Sequence, residues 1–176
     1  MATDTWALHD LEQAFRDHHA RVFAAAYRVT GNAMDAEDVL QAVFLRLARG
    51  SFARTPRDGA ELGAYLQRAA VNGALDLLRH GARHPSVPLD TARDEADTLY
   101  NPSTESSRLA VRERIRAALA DLSPRAAEMF ALRYLEGFSN QEIGRLVGTS
   151  ESTVGVTLFR ARAQLREALE DAGDPA

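Results

Sequence analysis

Apolar residues recur at spacings of three and four along most of this chain, and nowhere do they alternate at a spacing of two. The pattern predicts an all-α protein with no strands. Leu11–Thr30 reads as one helix, with Leu11, Phe15, Val22, Phe23, Ala26 and Tyr27 mostly on one face and Gly31-Asn32 closing it. A second helix begins at Asp35, with Asp35, Glu37 and Asp38 in the first turn, where the helix dipole favours acids. Val39, Leu40, Val43, Phe44 and Leu47 form its buried stripe, while Asp38, Gln41, Ala42, Leu45 and Arg49 face outward. Residues 50–59 hold Gly, Ser, Pro and Asp and read as a loop. Leu62–His80 is a third helix, with Leu62, Leu66, Ala69, Ala70, Leu75 and Leu78 inward.

The pattern then breaks. Residues 81–107 contain Pro85, Pro88 and Pro102 and five acids against two Arg. That composition predicts an extended, flexible, acidic linker. Beyond it, Arg108–Leu122 aligns Val111, Ile115, Leu119 and Leu122. Ser123-Pro124 gives the next helix an N-cap and a proline at its first position. Ala127, Phe130, Ala131 and Tyr134 form its expected inner face, and Gly137 stops it.

The last stretch, 139–170, is the most specific. Ser139 and Glu142 form an S-x-x-E capping box. Ile143, Leu146 and Val147 make the apolar face of a short helix, and Gly148 ends it. Ser150 can cap a longer helix with Val154, Leu158, Ala161, Leu165 and Leu169 inward. Two helices joined by a short turn containing Gly describe a helix-turn-helix, whose second helix reads the DNA major groove with its N-terminal residues. The outward residues there are Glu151, Ser152, Thr153, Gly155, Val156 and Thr157, with Phe159, Arg160 and Arg162 a turn further on. The same pattern also suits a helical hairpin packed on a core.

Composition narrows the function. The chain has no Cys, which removes disulfides, Cys-ligated zinc and thiol chemistry. His18 and His19 are adjacent and cannot share a helix face, and His80 and His84 are separated by Gly81 and followed by Pro85, so no metal site is expected. No phosphate-binding glycine loop or nucleophile motif is present, so an enzyme is not expected, nor any cofactor. No apolar run approaches the ~20 residues of a membrane span, and the start does not resemble a signal peptide. A cytoplasmic protein without membrane insertion is the expectation. The net charge is −4, unusual for a nucleic-acid binder. All 21 basic residues are Arg, which suits forked contacts to phosphate, guanine or carboxylate and equally suits a coding bias.

Two separate stretches resemble one family. RVTGNAMDAEDVLQAVFLRLARG is similar to the polymerase-docking helix of the extracytoplasmic function (ECF) group of RNA polymerase sigma factors. LSPRAAEMFALRYLEGFSNQEIGRLVGTSESTVGVTLFRARAQLREAL resembles their C-terminal promoter-binding domain. Between them, ELGAYLQRAAVNGALDLLRH resembles their promoter-melting helix. The resemblance implies a region 2-like domain over 1–80, a linker over 81–107 and a region 4-like domain over 108–172.

It further implies docking on the β′ clamp of core RNA polymerase through Asp35, Asp38, Gln41, Phe44 and Leu45, with Phe44 equally readable as core. Tyr65, Arg68, Asn72, Asp76 and Arg79 would contact the minus-ten element, where Asn72 and Asp76 also suit a solvated helix face. Tyr65 stands where the family has tryptophan. The C-terminal domain would touch the β flap and read the minus-thirty-five element through Arg145, Ser152, Thr153, Val156, Thr157, Phe159, Arg160 and Arg162. Gly155 and Thr157 occupy positions where the family carries Lys or Arg. An anti-sigma factor is an implied partner. Two alternatives are a sigma-like protein that binds an anti-sigma factor without initiating, and a free-standing helix-turn-helix regulator.

Overall fold

The structure is a computed structural model. It describes residues 8–50, 59–83 and 102–171. Among these residues every regular element is an α-helix: α1 Leu8–Thr30, α2 Ala33–Ala48, α3 Gly59–Arg83, α4 Pro102–Asp121, α5 Pro124–Tyr134, α6 Asn140–Val147 and α7 Glu151–Asp171. Most of the expected linker, and most of the expected 50–59 loop, lie outside the described residues. At its edges the linker is shorter than expected, since α3 runs on to Arg83 and α4 begins at Pro102.

Helices α1, α2 and α3 pack on one another as an N-terminal bundle. Its centre is Val22, Val29, Leu47, Leu66, Val71 and Leu75, all buried. Helices α4, α5, α6 and α7 form the second bundle around Leu119, Met129, Leu132, Ile143, Val154 and Leu158. Helix α3 also packs against α4, α5 and α6, so the two bundles share it as a seam. The Arg116 guanidinium lies over Gly31, where an added Cβ would sit 1.4 Å from Nη2.

The helix boundaries follow local chemistry. Gly31 adopts φ +64°, and Asn32 caps α2 rather than closing α1, its Oδ1 accepting from the Met34 N–H at 2.8 Å and the Asp35 N–H at 3.3 Å. Ser123 Oγ accepts from the Ala126 N–H, with Pro124 at the helix start. Ser139 and Glu142 form the full capping box, and Gly148 takes the left-handed conformation at φ +74°.

Three inner faces differ from those read off the sequence. On α1, Phe15 and Tyr27 are exposed, because Ala14, Ala25, Ala26 and Val29 bring the backbone of α1 close to its neighbours and leave the large rings at the edge. Phe15 still stacks on His19, ring centroids 5.1 Å apart, and meets Phe44 edge-on at 4.9 Å. On α4, Val111 and Ile115 are exposed, and the later Ala118 and Leu119 are buried, as is Leu122 just beyond its end. On α5, Tyr134 is exposed and Phe130 half-buried, while Glu128, Met129 and Leu132 are buried. Helix α5 is enclosed by α3 on one side and α7 on the other, so it has two inner faces.

Candidate nucleic-acid interface

Helices α6 and α7 form the turn that presents the candidate reading helix. Gly144 makes the turn possible: a Cβ there would lie 2.8 Å from the Thr149 carbonyl oxygen. Ser150 Oγ accepts from the Thr153 N–H at 3.2 Å and lies 3.0 Å from Ser152 Oγ and 2.8 Å from Thr153 Oγ1. Three hydroxyls therefore gather at the positive end of a 21-residue helix, an arrangement suited to phosphate.

Val154, Leu158, Ala161 and Leu165 hold α7 to the core. The opposite face brings together Ser152, Thr153, Val156, Phe159 and Arg160, all exposed, with Phe159 at 74%. Thr157 and Arg162 fall on its flanks. The Thr157 hydroxyl donates to the Thr153 carbonyl at 2.8 Å and the residue is half-buried. Arg162 lines a shallow hollow with Phe130 and Arg166. Arg145, on α6, is exposed and donates to Gln141 Oε1 at 2.7 Å. Leu169, which also lines the hollow, accepts at its carbonyl from Arg114, which caps the end of α7.

The residues expected at the minus-ten element follow one line along α3, and the structure places Tyr65, Arg68 and Asn72 of that line against the second bundle. Arg68 Nε donates to Glu128 Oε1 at 2.6 Å, and Asn72 Nδ2 donates to the same oxygen at 2.8 Å. Arg68 Nη1 also reaches the Leu146 carbonyl near the end of α6. Tyr65 is half-buried beside a groove of about 680 Å³ between α3 and α6, which Arg68 and Arg145 also line. Further along, Arg79 Nη1 donates to the exposed Asp76 at 3.4 Å. Asn72 is thus part of a partly buried polar cluster, while Asp76 lies on a solvated face.

On α2, Asp38, Gln41 and Leu45 share an exposed face. Asp35 is half-buried, and burial, reinforced by the Asp38 carboxylate, pushes its carboxyl above the usual range. Phe44 is only 7% exposed and packs on Phe15, so it supports this face from within the core.

The sequence reading missed Glu128 and Glu136. Glu128 is 7% exposed, and the Glu136 side chain is 0% exposed. Arg28 Nη1 donates to both Glu136 oxygens at 2.9 Å, and Gln67 Nε2 donates to Oε2 at 3.0 Å. The available signal was positional: Glu128 sits between the buried Ala127 and Met129 on a helix with two inner faces.

Both halves of this geometry match known families. Residues 14–84 match Sigma-70 region 2, and residues 112–165 match Sigma-70, region 4. The chain is 33% identical over 172 residues to the ECF RNA polymerase sigma factor SigE of Mycolicibacterium smegmatis, covering 94% of this chain and 64% of that one. It is 30% identical to the ECF RNA polymerase sigma factor SigM of Mycobacterium tuberculosis, covering 90% of this chain and 76% of that one. It is 34% identical to the RNA polymerase sigma factor CarQ of Myxococcus xanthus, covering 90% and 88%. The protein has the two-domain, all-helical organisation of a sigma-70-type transcription factor. It belongs to the ECF group of RNA polymerase sigma factors.

Proposed function

We propose that this chain binds core RNA polymerase and directs initiation at promoters of a two-part sequence. Its domains are 1–80 for core docking and the minus-ten element and 108–172 for the minus-thirty-five element, joined by the acidic segment 81–107. The α2 face of Asp38, Gln41 and Leu45 meets the β′ clamp, with the partly buried Asp35 and the core residue Phe44 holding it in shape. Tyr65, Arg68 and Asn72 of α3 meet the melted strand, where Arg and aromatic groups stack on bases and Asn hydrogen-bonds them; Asp76 and Arg79 extend the same line. Ser152, Thr153, Val156, Phe159 and Arg160 meet duplex DNA, with Arg145, Thr157 and Arg162 at the margins and the β flap nearby. The protein catalyses nothing itself, needs no cofactor, acts in the cytoplasm and is held by an anti-sigma factor when unused.

The observation that carries this reading is the exposed Val156 and Phe159 at the N-terminal half of a capped reading helix. Large apolar groups left in water at a reading position suit contact with thymine methyls. Transcription in vitro with core polymerase, this protein and fragmented genomic DNA tests it. Sequenced 5′ ends downstream of one shared two-part motif are expected. Asp38→Arg should lower core affinity while leaving the helix content unchanged, and an unchanged affinity would remove α2 from the docking surface.

One feature favours the second reading, a sigma-like protein that binds an anti-sigma factor without initiating. Gly155 and Thr157 leave the reading helix with few cations. Core binding without specific start sites would establish it.

A further inference from the structure

Residues 151–159, the first half of α7, contain no Arg, Lys, Asn, Gln or His. Guanine is gripped by a forked Arg or a Lys, and adenine by a side-chain amide, so this half of the helix lacks every side chain that holds a purine with two hydrogen bonds. Its hydroxyls are engaged within the helix end. Ser152 Oγ and Thr153 Oγ1 lie 3.0 and 2.8 Å from Ser150 Oγ, and the Thr157 hydroxyl donates to the Thr153 carbonyl at 2.8 Å. The first cation along the face is Arg160. What remains for a base edge is Val156 and Phe159, three residues apart on one face and both well exposed, with the exposed carboxylate of Glu151 at the helix start. The major groove offers one apolar group to such a pair, the 5-methyl group of a pyrimidine.

We propose that α7 reads the pyrimidine 5-methyl group without separating thymine from 5-methylcytosine, so that cytosine methylation in the minus-thirty-five element strengthens binding of this protein. The inference rests on α7 as the helix that reads that element and names the chemistry it reads. The two bases carry the same methyl at the same place. They differ at position 4, where thymine has a carbonyl acceptor and 5-methylcytosine an amino donor. Preferring thymine takes a donor aimed at that carbonyl. Residues 151–159 hold no N–H side chain, and the hydroxyls of Ser152, Thr153 and Thr157 already have partners within the helix end. Preferring the amino group takes an acceptor, and Glu151 is one. Nothing on the face therefore rejects 5-methylcytosine. Each methyl covered by Val156 and Phe159 should raise affinity about fourfold.

The test uses the full chain bound to core polymerase. Short duplexes with a randomised window are selected for binding, and the recovered motif is resynthesised with deoxyuridine in place of thymine, or with cytosine or 5-methylcytosine there and guanine opposite. Deoxyuridine keeps the pairing and removes only the methyl. It should lower affinity about fourfold for each thymine that is read. The 5-methylcytosine duplex should bind about fourfold more tightly than its cytosine counterpart. V156A/F159A changes only exposed side chains and should abolish both ratios. A merely structural role for the pair would weaken every duplex alike and keep the ratios. A recovered pool without a common motif, or equal binding of the thymine and deoxyuridine forms, would overturn methyl reading. A loss with deoxyuridine and no gain on methylating cytosine would overturn the shared readout and confine α7 to thymine. Ratios that survive V156A/F159A would take the methyl contact away from this pair. Transcription in vitro judges the parent reading separately: specific start sites that need the minus-thirty-five element but ignore deoxyuridine there would keep the promoter function and remove this inference alone.

Discussion

The two helices assigned to DNA present opposite surfaces. On α7, Val156 and Phe159 are exposed, at 51% and 74%. On α3, Arg68 and Asn72 are drawn into a cluster around a carboxylate that water barely reaches. Exposed apolar groups gain only when a partner arrives, about 1.5–3 kcal/mol for a fully buried Phe. Polar groups inside a satisfied cluster must first lose a partner before they gain another. The α7 face therefore stands open and the α3 face is covered, although both belong to one chain and border one continuous packed core.

The sharpest way to separate the two faces is to break the one that stands alone. Gly144→Ala would place a Cβ 2.8 Å from the Thr149 carbonyl, a backbone atom that cannot swing aside. We expect a loss of about 2–3 kcal/mol from overpacking, confined to the second bundle. Duplex DNA binding through α7 should fall with it. Thermal unfolding followed by NMR should show α1–α3 amides unaffected at temperatures where α6 and α7 have already broadened. A uniform loss across both bundles would mean that the shared α3 seam makes them one cooperative unit.

A paired substitution then contrasts the faces directly. Arg68→Ala leaves Glu128 buried with Asn72 as its remaining partner, and should destabilise by about 1–3 kcal/mol. Arg160→Ala, on the exposed face of α7, should change stability by no more than about 0.5 kcal/mol. It should instead reduce the salt slope of duplex binding by about one unit. Denaturant midpoints and binding measured across a salt series give both quantities. Equal stability effects at the two positions would erase the distinction between a covered and an open face.

The contrast also explains what the sequence could reveal. The capping box of Ser139 and Glu142, the left-handed Gly148 and the Ser150 cap are decided by residues three or four apart, and each is legible from the order of the residues alone. The outward face of α7 follows from them. Glu128 and Glu136 are not legible in that way, because their partners lie 56 to 108 residues away and only tertiary packing brings them together. Tyr134 and Phe130 escape the periodicity for the same reason: it marks one inner face, and α5 has two. Val111 and Ile115 repeat correctly along α4, yet that part of the helix keeps both of them exposed. On α2 the outward positions agree with the sequence, and Phe44 resolves to the core because Phe15 meets it from α1.

A smaller effect tests whether the α7 face is tuned for stability. Gly155 lies mid-helix, and a Cβ there would find its nearest neighbour, Asn140 Nδ2, 3.9 Å away. The site has room, so Gly155→Ala should stabilise by about 1 kcal/mol through helix propensity alone. A rise in melting temperature with unchanged core binding is expected. A fall would show that α7 bends at Gly155 in a way the packing needs.

The smallest effect is acid sensitivity at the entrance to the helix-turn-helix. The Ser139 hydroxyl and then its backbone N–H donate to Glu142 and hold its carboxyl below the usual carboxylate range. A carboxyl whose folded-state pKa is lowered stabilises the fold fully above its unfolded value, near 4.5. That contribution is lost as pH falls through the lower folded value. Asp35 has the opposite sign: its raised pKa means that ionisation is disfavoured by the fold at neutral pH and that protonation relieves it. Acid should therefore loosen α6 while leaving the start of α2 as firm or firmer. Amide exchange at α6 and at α2, followed from pH 6 to pH 3 at fixed ionic strength and corrected for intrinsic rates, reads the two helices separately. Glu142→Gln should flatten the α6 profile and leave α2 alone. Parallel loosening of both helices in the wild type would show that acid acts on the whole fold and not on the capping box.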